Sequence, residues 1–142
     1  MYFDSDVPRD GDTSAPRSAH ARRPELAQQY GDGWRVPPSA TRVESALLRD
    51  LPADQQNWIR ERFAAHPLNT WLQPIRLIGA ADGIPTTYVR CLVEYDPTDE
   101  DTQRQDARVR GQPSWQYVEM NATHAAPFAQ PKEKAQVLLQ TM

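Results

Sequence analysis

One cysteine, Cys91, is the whole supply of thiols in these 142 residues. A lone cysteine excludes an internal disulfide and any cysteine-based zinc site. The chain has three histidines, and neither His20 nor His66 has a partner at metal-ligand spacing, so no metal and no cofactor is expected. No apolar run approaches the ~18 residues needed to cross a bilayer. The N-terminal Met1-Tyr2-Phe3-Asp4-Ser5-Asp6 has neither the basic region nor the apolar stretch of a secretory signal. Basic runs are absent too: the arginines are scattered, and the formal charge is -3. Nothing in that balance calls for nucleic acid. These absences predict a soluble, cytoplasmic protein with neither a nucleic-acid nor a membrane partner.

Apolar residues are also scarce. They make up 39% of the chain, beside 13 prolines, and the mean hydropathy is -0.75. The length suits one domain, but with a large polar surface around a small core.

No internal repeats occur. Tyr2-Phe3 reads as the end of a strand cut off by Pro8. Asp10 to Pro38, rich in proline, glycine, serine and charge, reads as a loop. A capping box, Thr41-Arg42-Val43-Glu44, opens a helix with Val43, Ala46 and Leu47 on one face. A second helix follows Asp50, with Pro52 in its first turn, an apolar stripe of Trp58, Ile59 and Phe63, and an end at His66-Pro67. Thr86 to Val93 (TTYVRCLV) is the best strand. Pro97 to Gly111 follows as a polar helix, capped by Thr98 and stopped by Gly111. Trp115 to Met120 alternates like a strand, a loop holding His124 comes next, and a last helix starts near Pro131 with Ala135, Leu138 and Leu139 on one face.

Strands alternating with helices imply an α/β fold with a parallel sheet. Two good strands and a stub are too few for an open parallel sheet covered on both faces. Further strands are therefore expected from elsewhere, and TTYVRCLV is expected as an exposed sheet edge that favours self-association.

Five segments together resemble one group of α/β-hydrolases, the bacterial-type small esterases related to plant methylesterases and hydroxynitrile lyases. Tyr2 to Gly11 (YFDSDVPRDG) is similar to the end of that family's sixth strand and its proline-acid-glycine turn. Gly31 to Pro38 (GDGWRVPP) resembles a cap motif, and His66 to Pro74 (HPLNTWLQP) the exit from the cap. Pro85 to Cys91 resembles the seventh strand, and Trp115 to Pro131 the eighth strand, the histidine loop and the start of the final helix. The resemblance implies the C-terminal part of an α/β-hydrolase domain: strand end and turn over 1–11, a cap-like excursion over 12–74, and strand-helix-strand-helix over 75–142. It also implies that the first five strands and the G-x-S-x-G nucleophile elbow precede residue 1. Serines stand at 5, 14, 18, 39, 45 and 114, and none sits in that motif.

His124 is the main chemical candidate. A single loop histidine is most often bonded to a backbone carbonyl, and only the flanking Asn121-Ala122-Thr123 and Pro131 give it the place of the base in a serine hydrolase. The acid is open between two placements. Plant-type members put it just after the seventh strand, which here is Glu94 with Asp96 close by. Bacterial members put it at the end of the sixth strand, which is Asp4, and the Tyr-Phe-Asp sequence favours that choice. Each of these carboxylates would otherwise be a solvated loop acid. The cap implies an apolar substrate pocket from Trp34, Leu68 and Trp71, with Trp58 and Phe63 nearby, all of which could equally be cap packing. Cys91, mid-strand, is expected to be buried and inert.

The resemblance thus implies a carboxylic ester hydrolase acting on a small-molecule ester through an acyl-enzyme, without its nucleophile half and inactive alone. The alternatives are a non-catalytic truncated product or a small binding module that reuses this half-fold. Ester hydrolysis and cyanohydrin cleavage share the scaffold, and the sequence does not separate them.

Overall fold

The computed structural model describes residues 1–14, 20–38, 48–49, 51–80, 83–93 and 95–141. The chain divides into two compact units. One is formed by Met1–Val7 with Gly79–Met142, and the other by Pro8–Ile78.

The first unit is a mixed α/β unit built on a parallel sheet flanked by helices. Its strands are β1 (Tyr2–Phe3), β4 (Thr86–Cys91) and β5 (Trp115–Met120), in the order β1-β4-β5. The register sets Tyr2 beside Tyr88 and Phe3 beside Val89, and β4 pairs with β5 from Thr86 and Trp115 through to Cys91 and Met120. Since successive side chains on a strand face opposite ways, this register sorts the sheet into two layers. Val89, Cys91 and Met120 join Phe3 and Val118 on one face, under Ala122, Ala126 and Val137. On the other face Tyr88 packs with Tyr2, Trp115 and Tyr117 beneath Val109 and Val7. The rings of Tyr88 and Tyr117 stack at 5.7 Å, those of Tyr2 and Trp115 at 5.5 Å.

Strand TTYVRCLV is therefore the centre of this sheet and not its edge. β1, short as it is, occupies the side expected to be open, and the outer strands are β1 and β5. Leu92 and Val93 run past the ladder and are exposed. The polar helix spans Glu100–Arg110, and its cap is Asp99, whose carboxylate accepts from the Thr102 N–H at 2.8 Å. Thr98 instead donates to Asp96 from both its N–H and its hydroxyl. Gly111 closes the helix with φ -78, so no left-handed residue is needed there. The final helix spans Pro131–Gln140, turned differently from the expected face. Val137 is half-buried against the Val89 core, while Ala135, Leu138 and Leu139 are exposed.

In the second unit the stretch Asp10–Pro38, expected as a loop, holds a helix over Arg22–Tyr30 and the strand β2 (Arg35–Val36). The helix buries only Ala27, too small a stripe to show as a period in the sequence. Gly31 caps it, and a Cβ there would lie 1.8 Å from the Arg35 carbonyl oxygen, so the close approach of the returning chain requires glycine. A further helix, Ala53–Arg60, has Pro52 just before it and ends at Glu61, short of the expected stop. His66–Pro67 forms β3, antiparallel to β2, and a short helix spans Asn69–Leu72. Ile59 is buried with Leu48 and Leu51, and Phe63 packs against them. Trp58 does not share that stripe: it is 53% exposed, with the Arg62 guanidinium 4.2 Å from its ring centre. The helix expected from Thr41 lies outside the described residues.

Candidate active site

Strands of a parallel sheet all end on one side, and the loops leaving that side meet there. Asp4 follows the end of β1, and His124 follows the end of β5. Asp4 adopts φ 44, left-handed backbone that a non-glycine residue seldom takes. Aspartate tolerates it because its short side chain can bond locally. The Asp4 N–H still donates to the Val89 carbonyl at 2.7 Å. The chain then turns, and the carboxylate swings over the end of β4. Oδ1 accepts from the Cys91 N–H at 3.0 Å, in the place that the main-chain carbonyl of a continued strand would fill.

On the far side of β4, Met120 and Ala122 accept from the N–H groups of Leu92 and Val93. The turn after them is held by the Thr123 hydroxyl, which accepts from the Ala125 N–H at 3.2 Å, and by the Ala126 N–H bonding to the Thr123 carbonyl. His124 projects from this turn across the end of β4. Its Nδ1 lies 2.9 Å from Asp4 Oδ2, joining residues 120 positions apart.

Burial alone would raise the Asp4 carboxyl. The hydrogen bond from His124, the Cys91 N–H and the positive charges of His124 and Arg90 outweigh it, and hold the group below the ordinary carboxylate value. Asp4 is thus ionised at neutral pH and can only accept. It follows that Nδ1 of His124 carries the proton on this bond. The Asp4 side chain is only 13% exposed and that of His124 is 56% exposed, so the carboxylate is shielded and the imidazole faces outward.

Behind Asp4 stands a charged network that the sequence did not advertise. Arg90, on β4, reaches Asp4 Oδ1 with Nη1 at 3.4 Å and Asp106 Oδ1 with Nη2 at 2.6 Å and Nε at 3.2 Å. Asp106, buried on the inner face of helix Glu100–Arg110, accepts on Oδ2 from the hydroxyls of Tyr95 (2.9 Å) and Tyr117 (3.0 Å). Burial opposes the guanidinium's charge, but the hydrogen bonds to Asp106 and the surrounding hydroxyls and carboxylates win and raise Arg90 above its ordinary value. The available signal was an arginine in the middle of an otherwise apolar strand, since a charge on a covered sheet face needs a buried counter-charge. The aspartate three places before Val109 on the facing helix was the candidate.

A cavity of about 270 Å³ opens beside the pair, between Asp4, Arg90, Cys91 and His124 on one side and Tyr95, Asp96, Asp99 and Thr102 on the other. Its walls are polar. Asp96 is exposed, and its Oδ1 accepts from both the N–H and the hydroxyl of Thr98. Glu94 lies outside the described residues. Cys91 is 4% exposed, and burial, aided by the Asp4 charge, pushes its thiol up to about 12, which keeps it protonated. Trp34, Leu68 and Trp71 belong to the other unit. Trp34 is 56% exposed, and its carbonyl accepts from the Leu68 N–H at 2.8 Å. Trp71 lies between the His66 ring (4.3 Å) and the Arg23 guanidinium (3.9 Å). Of the described serines, Ser5 follows Asp4 directly, while Ser14 and Ser114 are exposed. Among the described residues, no group of three or more His, Cys, Asp or Glu is arranged to hold a metal, and no helix is long and apolar enough to cross a membrane.

No family model matches the chain, and no solved structure matches it significantly. Among curated proteins it is similar to a carbendazim hydrolyzing esterase of Nocardioides sp. (strain SG-4G), with 26% identity over 146 residues that take in 97% of this chain and 58% of the esterase. The chain therefore spans little more than half the length of that relative, and the similarity relates it, distantly, to a hydrolase of the esterase kind.

Proposed function

We propose that this chain is the part of an α/β-hydrolase that supplies the base and the acid of a Ser-His-acid carboxylic ester hydrolase. The observation that carries this reading is the 2.9 Å bond between His124 Nδ1 and a shielded Asp4 carboxylate. His124 is the base. With Nδ1 turned to Asp4, Nε2 is the ring atom that takes the proton from a serine hydroxyl as its oxygen attacks the ester carbonyl. The same proton is then given to the departing alcohol as the tetrahedral intermediate collapses to the acyl-enzyme. A water molecule repeats the cycle and releases the acid. Asp4 holds the ring tautomer and stabilises the imidazolium, without itself being protonated.

No serine of this chain lies in a G-x-S-x-G elbow, so the nucleophile and the oxyanion donors come from outside these 142 residues. The substrate is a small-molecule ester. Trp34, Leu68 and Trp71 are the residues that the family resemblance offers for its apolar part, whereas the cavity beside Asp4 is too polar for that purpose. The esterase relative supports the reaction class.

The test joins this chain to the part of the Nocardioides esterase that it does not span and assays an activated short-chain aryl ester. His124→Ala is expected to lower kcat by roughly 10⁴ or more while leaving the fold intact. Near-normal turnover by a folded His124→Ala protein would remove the histidine from the reaction.

A further inference from the structure

The charged network behind Asp4 holds more than is needed to tie a helix to a sheet. One carboxylate would neutralise Arg90, yet its guanidinium spans two. We propose that Arg90, clamped by Asp106, is a positioning residue for the Asp4–His124 pair: it fixes Asp4 Oδ1, and so keeps Oδ2 aimed at His124 Nδ1. The catalytic use of that aim rests on the function proposed above.

Three observations carry the inference. Asp4 follows a strand of only two residues and sits in left-handed backbone, which turns its carboxylate over the end of β4 and onto side-chain and main-chain donors there. The Cys91 N–H gives Oδ1 one fixed donor at 3.0 Å, and Arg90 Nη1 gives it a second at 3.4 Å from another direction. The guanidinium cannot drift, because Nε and Nη2 are both held by Asp106, which the Tyr95 and Tyr117 hydroxyls hold in turn. The planar fork of arginine can serve two carboxylates at once, and a lysine ammonium cannot do so with fixed geometry. Position is thus passed from helix Glu100–Arg110 to Asp106, Arg90, Asp4 and His124. The groups facing Arg90 are the Asp4 and Asp106 carboxylates and the Tyr88, Tyr95 and Tyr117 rings and hydroxyls. Arg110 lies over the Tyr117 ring at 3.6 Å, and His124 lies beyond Asp4.

The experiment is NMR on the 142-residue chain, with no substrate or nucleophile. It reads the acid titration of the Asp4 carboxyl carbon and the His124 Nδ1–H proton signal. In Arg90→Met/Asp106→Leu, which leaves no buried carboxylate without a partner, the Asp4 midpoint should move up and the Nδ1–H signal should broaden away. Arg90→Lys should bring the midpoint back towards the parent while the Nδ1–H signal stays weak, because charge returns without the fork. Asp106→Asn, which releases the guanidinium to Asp4 and preserves shape, should move the midpoint down. Opposite movements in these variants distinguish positioning from general loosening, which would shift both the same way. A folded double variant with both signals unchanged overturns the proposal. Should that variant not fold, an unmoved Asp4 midpoint in Asp106→Asn overturns it. Because turnover is not read, these shifts stand even if His124→Ala leaves ester hydrolysis intact, a result that would sink the hydrolase assignment alone.

Discussion

Removing the Asp106 carboxylate should be among the most damaging single changes in the sheet unit. The side chains of Arg90 and Asp106 are 11% and 9% exposed, and they meet at 2.6 Å. Among the described residues, Asp106→Ala leaves the guanidinium with Asp4, at 3.4 Å, as its one carboxylate partner. Stranding one member of a buried pair costs about 3–5 kcal/mol. The surviving contact with Asp4 puts the expected loss near the lower end, about 3 kcal/mol. The two tyrosine hydroxyls also lose their acceptor, but Tyr95 and Tyr117 are only half-buried and can turn to water. For a chain of this size 1 kcal/mol moves Tm by about 3 °C, so the melt should fall by roughly 10 °C. Thermal and urea melts followed by circular dichroism measure this. Asp101→Asn is the control: its pair with Arg104 is just as short, 2.7 Å, but the side chains are 86% and 67% exposed, and no measurable change is expected. Arg90→Met/Asp106→Leu should recover most of the loss, since replacing a buried pair by apolar groups is often neutral. An Asp106→Ala melt within about 2 °C of the parent, or a double variant less stable than Asp106→Ala, would refute the reasoning.

In the chimera with an active nucleophile, Asp4→Asn should lower kcat by orders of magnitude and more than Glu94→Gln does, because an amide at position 4 leaves the imidazole in the wrong tautomer; the reverse order, read by steady-state kinetics, would give the acid's role to Glu94. The 142-residue chain by itself should show no turnover of an activated aryl ester above the buffer rate, and turnover abolished by His124→Ala would mean that one of its own serines serves as nucleophile. Asp4 is held below its ordinary value of 3.8 in the folded chain, so its contribution to stability is complete above that pH and is lost as the pH falls through the lower folded value. Melts between pH 6 and pH 2 should accordingly show the gap between the parent and Asp4→Asn closing only at the acid end, and a gap that is constant with pH would show that the folded carboxyl is not depressed.

The sequence by itself determined the local elements whose pattern is strong. β-branched and aromatic residues marked a strand from Thr86 to Val93, of which Thr86–Cys91 forms one, alternation marked Trp115–Met120, and the last helix begins at Pro131, near where the sequence put it. Those elements placed His124 on a loop after a strand, and resemblance to the bacterial-type esterases favoured Asp4 over Glu94. Tertiary structure alone decided the rest. Helix Arg22–Tyr30 buries one alanine, too little to leave a period, and β2 and β3 exist only because two short segments meet. The last helix packs Val137 on the Val89 core and shows Leu138 and Leu139 to solvent, a choice of face that only docking made. Arg90 and Asp106 were ordinary charges until the sheet face and the helix that covers it brought them together. Asp4 and His124, 120 positions apart, meet because parallel pairing brings the ends of β1, β4 and β5 to one edge. No local propensity encodes a contact of that range, which is fixed by strand order and register.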